Sequence, residues 1–159
     1  MMLLSHALLD ELATKAQASP RARAHHNIHP HASDPVQRFL VVALRDSYFR
    51  PHRHRSKSEL ATLLRGQVTL LTFDARGQVT ARFRVGDGTE SLAYETPPDT
   101  WHTLVPGESG VAFLEVKEGP YDAATATEFA PWAPPEGDIA VARFLAWLRE
   151  AQPGSTPPV

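Results

Sequence analysis

The spacing of three histidines and one glutamate constrains this chain more than any other feature. His52 and His54 are one residue apart, Glu59 follows after four more residues, and Gly66 after a further six. His102 stands in a separate run, Pro97-Pro98-Asp99-Thr100-Trp101-His102. Successive side chains of a strand point to opposite faces, so His52 and His54 project from one face, roughly 6–7 Å apart along it. Arg55-Ser56-Lys57-Ser58 reads as the turn that reverses the chain, and Glu59 then opens a second strand beside the two imidazoles. His102 must come from another strand that closes the group. Three imidazoles and a carboxylate suit a divalent transition metal, so His52, His54, Glu59 and His102 are the expected ligands. The competing reading is a polar hairpin tip with solvated histidines.

The flanking sequence supports a β architecture. Apolar or alternating runs cover 38–44, 48–54, 59–64, 66–73, 78–85, 91–96, 101–105 and 110–117, with turn residues at 74–77 and 86–88. Many short strands with frequent turn signals indicate a sandwich or barrel. Residues 5–18 read as a helix, with Ser5 as N-cap and Leu8, Leu9, Leu12, Ala13 and Ala16 on its apolar face. A second helix is expected from Asp138, as its cap, to Glu150, burying Val141, Phe144, Leu145 and Leu148. The expected organisation is one domain: an N-terminal helix within 1–20, a barrel over 21–119, a proline- and aromatic-rich wrap plus helix over 120–150, and a loose tail over 151–159.

These residues carry a resemblance. The run resembles the two motifs of the cupins, G-x5-H-x-H-x3,4-E-x6-G and G-x5-P-x-G-x2-H-x3-N. His52, His54, Glu59 and Gly66 match the first, and Pro97 and His102 the second. Asp46, Ser91, Asp99 and Pro106 stand where the motifs have Gly, Gly, Gly and Asn. Those departures affect turns and closure, while every metal-ligand position is kept. The segments 34–38, 50–54, 100–103, 114–121 and 128–134 are similar to the WbuC-type cupin-fold metalloproteins over roughly residues 5–150. The resemblance implies a mainly β, cupin-like jelly-roll barrel with a helix at each end and a bound metal. It also implies a setting in bacterial surface-polysaccharide (O-antigen) metabolism.

Composition narrows the function classes. A chain of 159 residues is long enough for one full core. A net charge of −2 gives no bulk attraction to nucleic acid. There is no cysteine, which excludes disulfides and thiolate ligands and suits a cytoplasmic home. The N-terminus lacks a basic start and its apolar stretch is broken by His6, so no signal peptide is expected. No stretch reaches the roughly 20 apolar residues of a membrane span.

Around the metal, strand alternation puts Tyr48 and Arg50 on the face of His52 and His54. Tyr48 is a candidate proton donor or a filler of the barrel mouth, and Arg50 a candidate partner for an anionic group or a solvated arginine. Residues 21–35, with His25, His26, His29 and His31, read as a surface loop or entry strand. Alternatively, Asn27 and His29 line the metal pocket. Lys117 and Tyr121 are weaker candidates for substrate contact, and His29 or Lys117 could serve as base in place of Tyr48. The expected cofactor is one divalent metal, zinc as isolated, with iron, manganese or nickel as alternatives. The expected activity is Lewis-acid chemistry on a small ligand such as a sugar or nucleotide-sugar. The alternatives are an iron-dependent dioxygenase and a non-catalytic sugar-binding module. A homodimer is expected because sheet edges need covering.

Overall fold

The structure, a computed structural model, describes residues 1–158. Eight strands lie between two helices: α1 His6–Ala18, β1 Arg23–Asn27, β2 Val36–Ala43, β3 His52–Arg53, β4 Glu59–Phe73, β5 Val79–Gly86, β6 Ala93–Thr96, β7 Trp101–Glu118, β8 Glu128–Phe129 and α2 Val141–Glu150. The strands run in the order β1-β2-β7-β3-β8, with β4 joined to β5, β6 and β7, and every pairing is antiparallel. The sheet curls into a half-barrel with a helix at each end of the chain, the mainly β architecture that the strand pattern implies.

Strand parity separates three apolar layers. In β2, Leu40 and Val42 face outward onto Leu9 and Leu12 of α1, while Val41 and Ala43 face inward with Ala61, Leu104 and Phe113. On the other outer face, Phe144, Leu145 and Leu148 of α2 cover Leu71, Phe73 and Trp101. Ser5 caps α1 by accepting the Leu8 N–H at 3.2 Å, which satisfies one of the unpaired donors of the first turn.

The strands expected at 59–64 and 66–73 are one strand, β4, and those at 101–105 and 110–117 are likewise one, β7. Gly66 and Gly110 interrupt neither strand. Both have positive φ, +74° each, and they accommodate register shifts between β4 and β7. The shifts change parity: Glu59, Ala61 and Leu63 face inward before Gly66, whereas Val68 faces inward after it. A bulge of this kind bends the sheet without ending the ladder.

Two boundaries near the C-terminus differ from expectation. Asp138 lies before the cap: its Oδ1 accepts the Ala140 N–H at 2.8 Å, and α2 begins at Val141 with Ala140 as N-cap. The expected loose tail is bonded to β5 at Gly154 and Ser155, and Val159 lies outside the described residues. Gly154 N–H donates to the Val79 carbonyl at 2.8 Å, and Val79 N–H to the Ser155 carbonyl at 2.9 Å. The physical reason is that the start of β5 offers backbone groups that need partners, and the tail supplies them.

Candidate metal centre

His52 and His102 are register partners across β3 and β7, and His54 follows β3 with the same parity as His52. Their ligand atoms all lie within 4.8 Å of one another, so the three histidines can hold a metal ion. The hydrogen bonds fix which nitrogen of each ring faces inward. His52 Nδ1 donates to the Arg50 carbonyl at 2.9 Å, His54 Nδ1 to the Ala126 carbonyl at 2.6 Å and His102 Nδ1 to the Thr100 carbonyl at 2.8 Å. Each ring therefore carries a proton on Nδ1; Nε2 of His52 and of His102 presents a lone pair to the common space, and Nε2 of His54 faces Glu59. His102 Nε2 is buried with no hydrogen-bond partner. An orphaned acceptor of this kind costs about 1–3 kcal/mol unless something fills its lone pair. Histidines that ligate metals are held by such contacts at the other nitrogen, so the donor set fits a divalent ion.

Glu59 adjoins the triad. Its Oε2 lies 3.1 Å from His54 Nε2 and 3.4 Å from Lys117 Nζ. Two donors about 2.1 Å from one ion at near-tetrahedral or right angles are about 3.0–3.4 Å apart, so Glu59 Oε2 and His54 Nε2 suit a shared ion. Burial and the His102 imidazole push the His52 pKa down to about 3. Burial likewise lowers that of His102. For His54, burial acts downward, but the hydrogen bond and charge of Glu59 outweigh it and the pKa rises. Burial would raise Glu59, yet its bond to His54 and the charge of Lys117 hold it below the usual carboxylate range.

These shifts make the metal-free protein sensitive to acid. His52 and His102 bind protons less readily when folded than the unfolded imidazole, whose value is near 6.5. Between roughly pH 6.5 and 3 the unfolded chain therefore holds more protons, and stability falls as the pH falls. Glu59 acts in the same direction, losing its contribution as pH drops below the unfolded carboxylate value of about 4.3. His54 opposes them, since its raised pKa stabilises the acidic side. The raised carboxyl of Glu115 opposes them as well, but the large shift in this interval is that of His52, so chelator-treated protein should lose stability, read as a falling Tm, from pH 6.5 to 4, with at most about 1.4 kcal/mol per pH unit from each of His52 and His102. A Tm independent of pH over that interval would contradict the assignment of buried neutral imidazoles.

A cavity of about 200 Å³ lies over the histidines. It shares Arg21, Arg23, Phe49, Glu115, Lys117 and Thr127 with a neighbouring cleft of about 600 Å³. Lys117 lines both spaces, 2.7 Å from Glu115 Oε1. Arg50 lines the smaller one, but its Nε and Nη2 donate to the carbonyls of Ala133 and Ala130 at 3.2 and 3.1 Å. Asn27, His29 and Tyr121 line the larger cleft and do not line the cavity over the histidines. His29 Nδ1 accepts the Arg38 N–H at 3.0 Å, and its ring meets Phe39 edge-on at 4.8 Å.

Tyr48 corrects the expectation from alternation. Its hydroxyl donates to the Pro134 carbonyl at 3.0 Å, and its ring packs on Phe144 in the cluster beneath α2. Burial pushes its pKa above the ordinary phenol range. The chain before Pro51 is not a strand, so parity from His52 does not extend back to Tyr48, and Phe49 takes the inward place. Glu115 is a cavity residue that the sequence reading missed. The signal was present, since Glu115 and Lys117 are two apart on β7 and share a face. Burial and the charge of Glu59 raise its pKa.

The curled antiparallel sheet defines a cupin-fold protein, with three convergent histidines that could hold a metal ion. The profile described as Domain of unknown function (DUF6016) matches residues 4–85, just over half of the sequence, and the chain belongs to that family. No curated protein matches it. Among solved structures it is similar to an uncharacterized conserved protein with a double-stranded beta-helix domain from Klebsiella pneumoniae, at 14% identity and a TM-score of 0.56, over 82% of this chain and 97% of that one. It is also similar to recombinant oxalate oxidase in complex with glycolate, at 14% identity and a TM-score of 0.55, over 72% of this chain. The capsular polysaccharide assembling protein CapF from Staphylococcus aureus matches at 15% identity and a TM-score of 0.52, over 61% of this chain. The chain spans 58% of that oxalate oxidase and 27% of that CapF. At these identities the likeness is one of fold.

Proposed function

We propose that this protein is a metal-dependent cupin of the WbuC type, acting on a sugar or sugar derivative of bacterial surface-polysaccharide metabolism. It is further proposed to be cytoplasmic and homodimeric. The observation that carries the reading is the set of three Nδ1-anchored histidines with His102 Nε2 buried and unpartnered. His52, His54 and His102 would hold the ion with Glu59 as fourth ligand, zinc first among the metals such donors accept. When bound, a divalent ion supplies a Lewis acid that polarises a carbonyl or hydroxyl. The sugar assignment draws on the segments similar to the WbuC-type proteins, and a capsular polysaccharide protein shares the fold.

The chain's own residues supply the rest. Glu115, its pKa raised by burial and the charge of Glu59 and its Oε1 bonded to Lys117 Nζ at 2.7 Å, can accept a proton from the carbon beside a carbonyl and return it. Lys117 Nζ stands between Glu115 and Glu59 and orients both. Metal-loaded protein incubated in D2O with aldoses and uronates should place deuterium at the carbon next to the carbonyl. Chelation should abolish the exchange, and Glu115→Gln should slow it about 100-fold or more. No exchange, with oxygen uptake by the iron-loaded protein instead, would replace this reading with an iron-dependent dioxygenase. Sugar binding with neither reaction would leave a non-catalytic binding module.

A further inference from the structure

The cleft beside the histidines serves neither the ligand set nor the core, and its side chains are arranged by charge. Strand β1 turns His25 and Asn27 into it, and His29 and His31 continue the row. Arg21 and Arg23 clasp Glu136 between them, Arg21 Nε at 2.6 Å, and Arg23 Nη1 donates to the Tyr48 carbonyl at 2.7 Å. Lys117 faces Glu115 at 2.7 Å. Every guanidinium and ammonium of the cleft thus already meets a carboxylate. The groups left without a partner among the described residues include the Asn27 amide, the His25 and His31 imidazoles, His29 Nε2 and the hydroxyls of Tyr121 and Thr127. Burial, then Arg21 and Arg23, hold the His25 pKa below its ordinary value, so this ring is neutral at pH 7.

The end over the histidines is different. Arg50 there meets no carboxylate among the described residues. Its Nε and Nη2 are bonded to neutral carbonyls, which leaves the guanidinium charge uncompensated. Beside the ligand triad the combined space therefore holds a cation with no carboxylate partner among the described residues. The cleft beyond it adds to its paired ions the side chains of His25, Asn27, His29, His31 and Tyr121, interleaved with the rings of Phe39 and Phe49.

Building on the metal-centre reading, we infer that cavity and cleft form one elongated site for a carboxylate joined to an uncharged polyhydroxylated body, that is, a sugar acid. The carboxylate belongs at the histidines and Arg50. The hydroxyls belong in the cleft, where amide, imidazole and phenol groups can donate and accept in turn. A volume of about 600 Å³ is ample for a six-carbon body. A phosphate on that body is selected against, because the cleft's cations are already paired and a dianion would lose its hydration without a free partner.

Calorimetric titration of the metal-loaded protein with three probes tests this. Glycolate carries the carboxylate and adjacent hydroxyl alone, D-gluconate adds the neutral body, and 6-phospho-D-gluconate adds a phosphate to that body. Gluconate should bind at least tenfold tighter than glycolate and tighter than its phosphate ester. The doubly substituted His25→Ala/Asn27→Ala protein, altered only at exposed positions of β1, should lose gluconate's advantage while keeping its metal and its glycolate affinity. Equal affinities for gluconate and glycolate in fully metallated protein would overturn the sugar-acid inference alone, as would tighter binding of the phosphate ester. Protein that takes up no stoichiometric metal would overturn the metal-centre reading and this inference with it.

Discussion

His102→Leu should abolish metal binding while leaving the metal-free protein as stable as the parent or more so. His102 is 2% exposed, and its Nε2 has no hydrogen-bond partner. In the metal-free fold that nitrogen is a liability of about 1–3 kcal/mol, which an apolar side chain of similar size removes. Against this stands the lost bond from Nδ1 to the Thr100 carbonyl, about 1 kcal/mol. The two nearly cancel, so a large fall in metal-free Tm is not expected. Metal binding is another matter, because even residues that only support a ligand change affinity about 10–100-fold when removed, and a ligand should exceed that. Zinc at about 100 times its dissociation constant should stabilise the parent by about 2.7 kcal/mol, or roughly 5–10 °C in a domain of this size. The variant should show no zinc-dependent rise, and metal analysis by plasma mass spectrometry should find it empty beside a near-stoichiometric parent. A variant that retains metal, or a parent whose Tm ignores zinc, would refute the triad. A metal-free variant much less stable than the parent would instead show that His102 is kept for packing.

The triad and Glu59 were legible in the sequence because strand parity is a local rule and His52, His54 and Glu59 are close in the chain. His102 was legible through its proline-led run. What alternation could not supply was where a strand stops. Tyr48 was placed beside His52 on the assumption that parity extends through Pro51, but the chain there is held by Arg50 and by the Ala130 N–H bonded to the Pro51 carbonyl at 2.9 Å. Asn27 and His29 share a face, as their spacing implies. The register of β1 on β2, His25 opposite Val41, puts that face on the cleft, and register is a property of the partner strand. The tail has the proline and glycine content of a free end. It is ordered by backbone bonds to Val79, and composition is silent about these. Glycines 66 and 110 read as strand ends for a similar reason: positive φ suits a turn and a bulge equally.

Gly66→Ala should be among the most damaging single changes in the chain, although it adds one methyl group. A Cβ at this position would lie 2.2 Å from the Gly110 carbonyl oxygen, a backbone atom that cannot rotate away. The φ of +74° adds strain for any L side chain, about 1–2 kcal/mol. Relief requires β4 and β7 to separate or to lose the bulge, and both outcomes act on the site. The register shift beside Gly66 changes inward parity between Ala61 and Val68, so erasing it would turn one half of β4 over. Glu59 and the His102 neighbour Thr72 lie on the two halves. The expected destabilisation is about 3 kcal/mol or more, the range of the larger point-mutant effects, with weaker metal uptake in whatever protein folds. Gly88→Ala is the matched control, with a similar φ of +72° but no atom within 4 Å of the added carbon. It should cost only the backbone strain and leave metal content unchanged. If the two variants unfold alike, the Gly110 contact contributes nothing and strain alone accounts for Gly66. If Gly66→Ala unfolds much earlier, the close approach of the two glycines is what sets β4 and β7 in register around the three histidines.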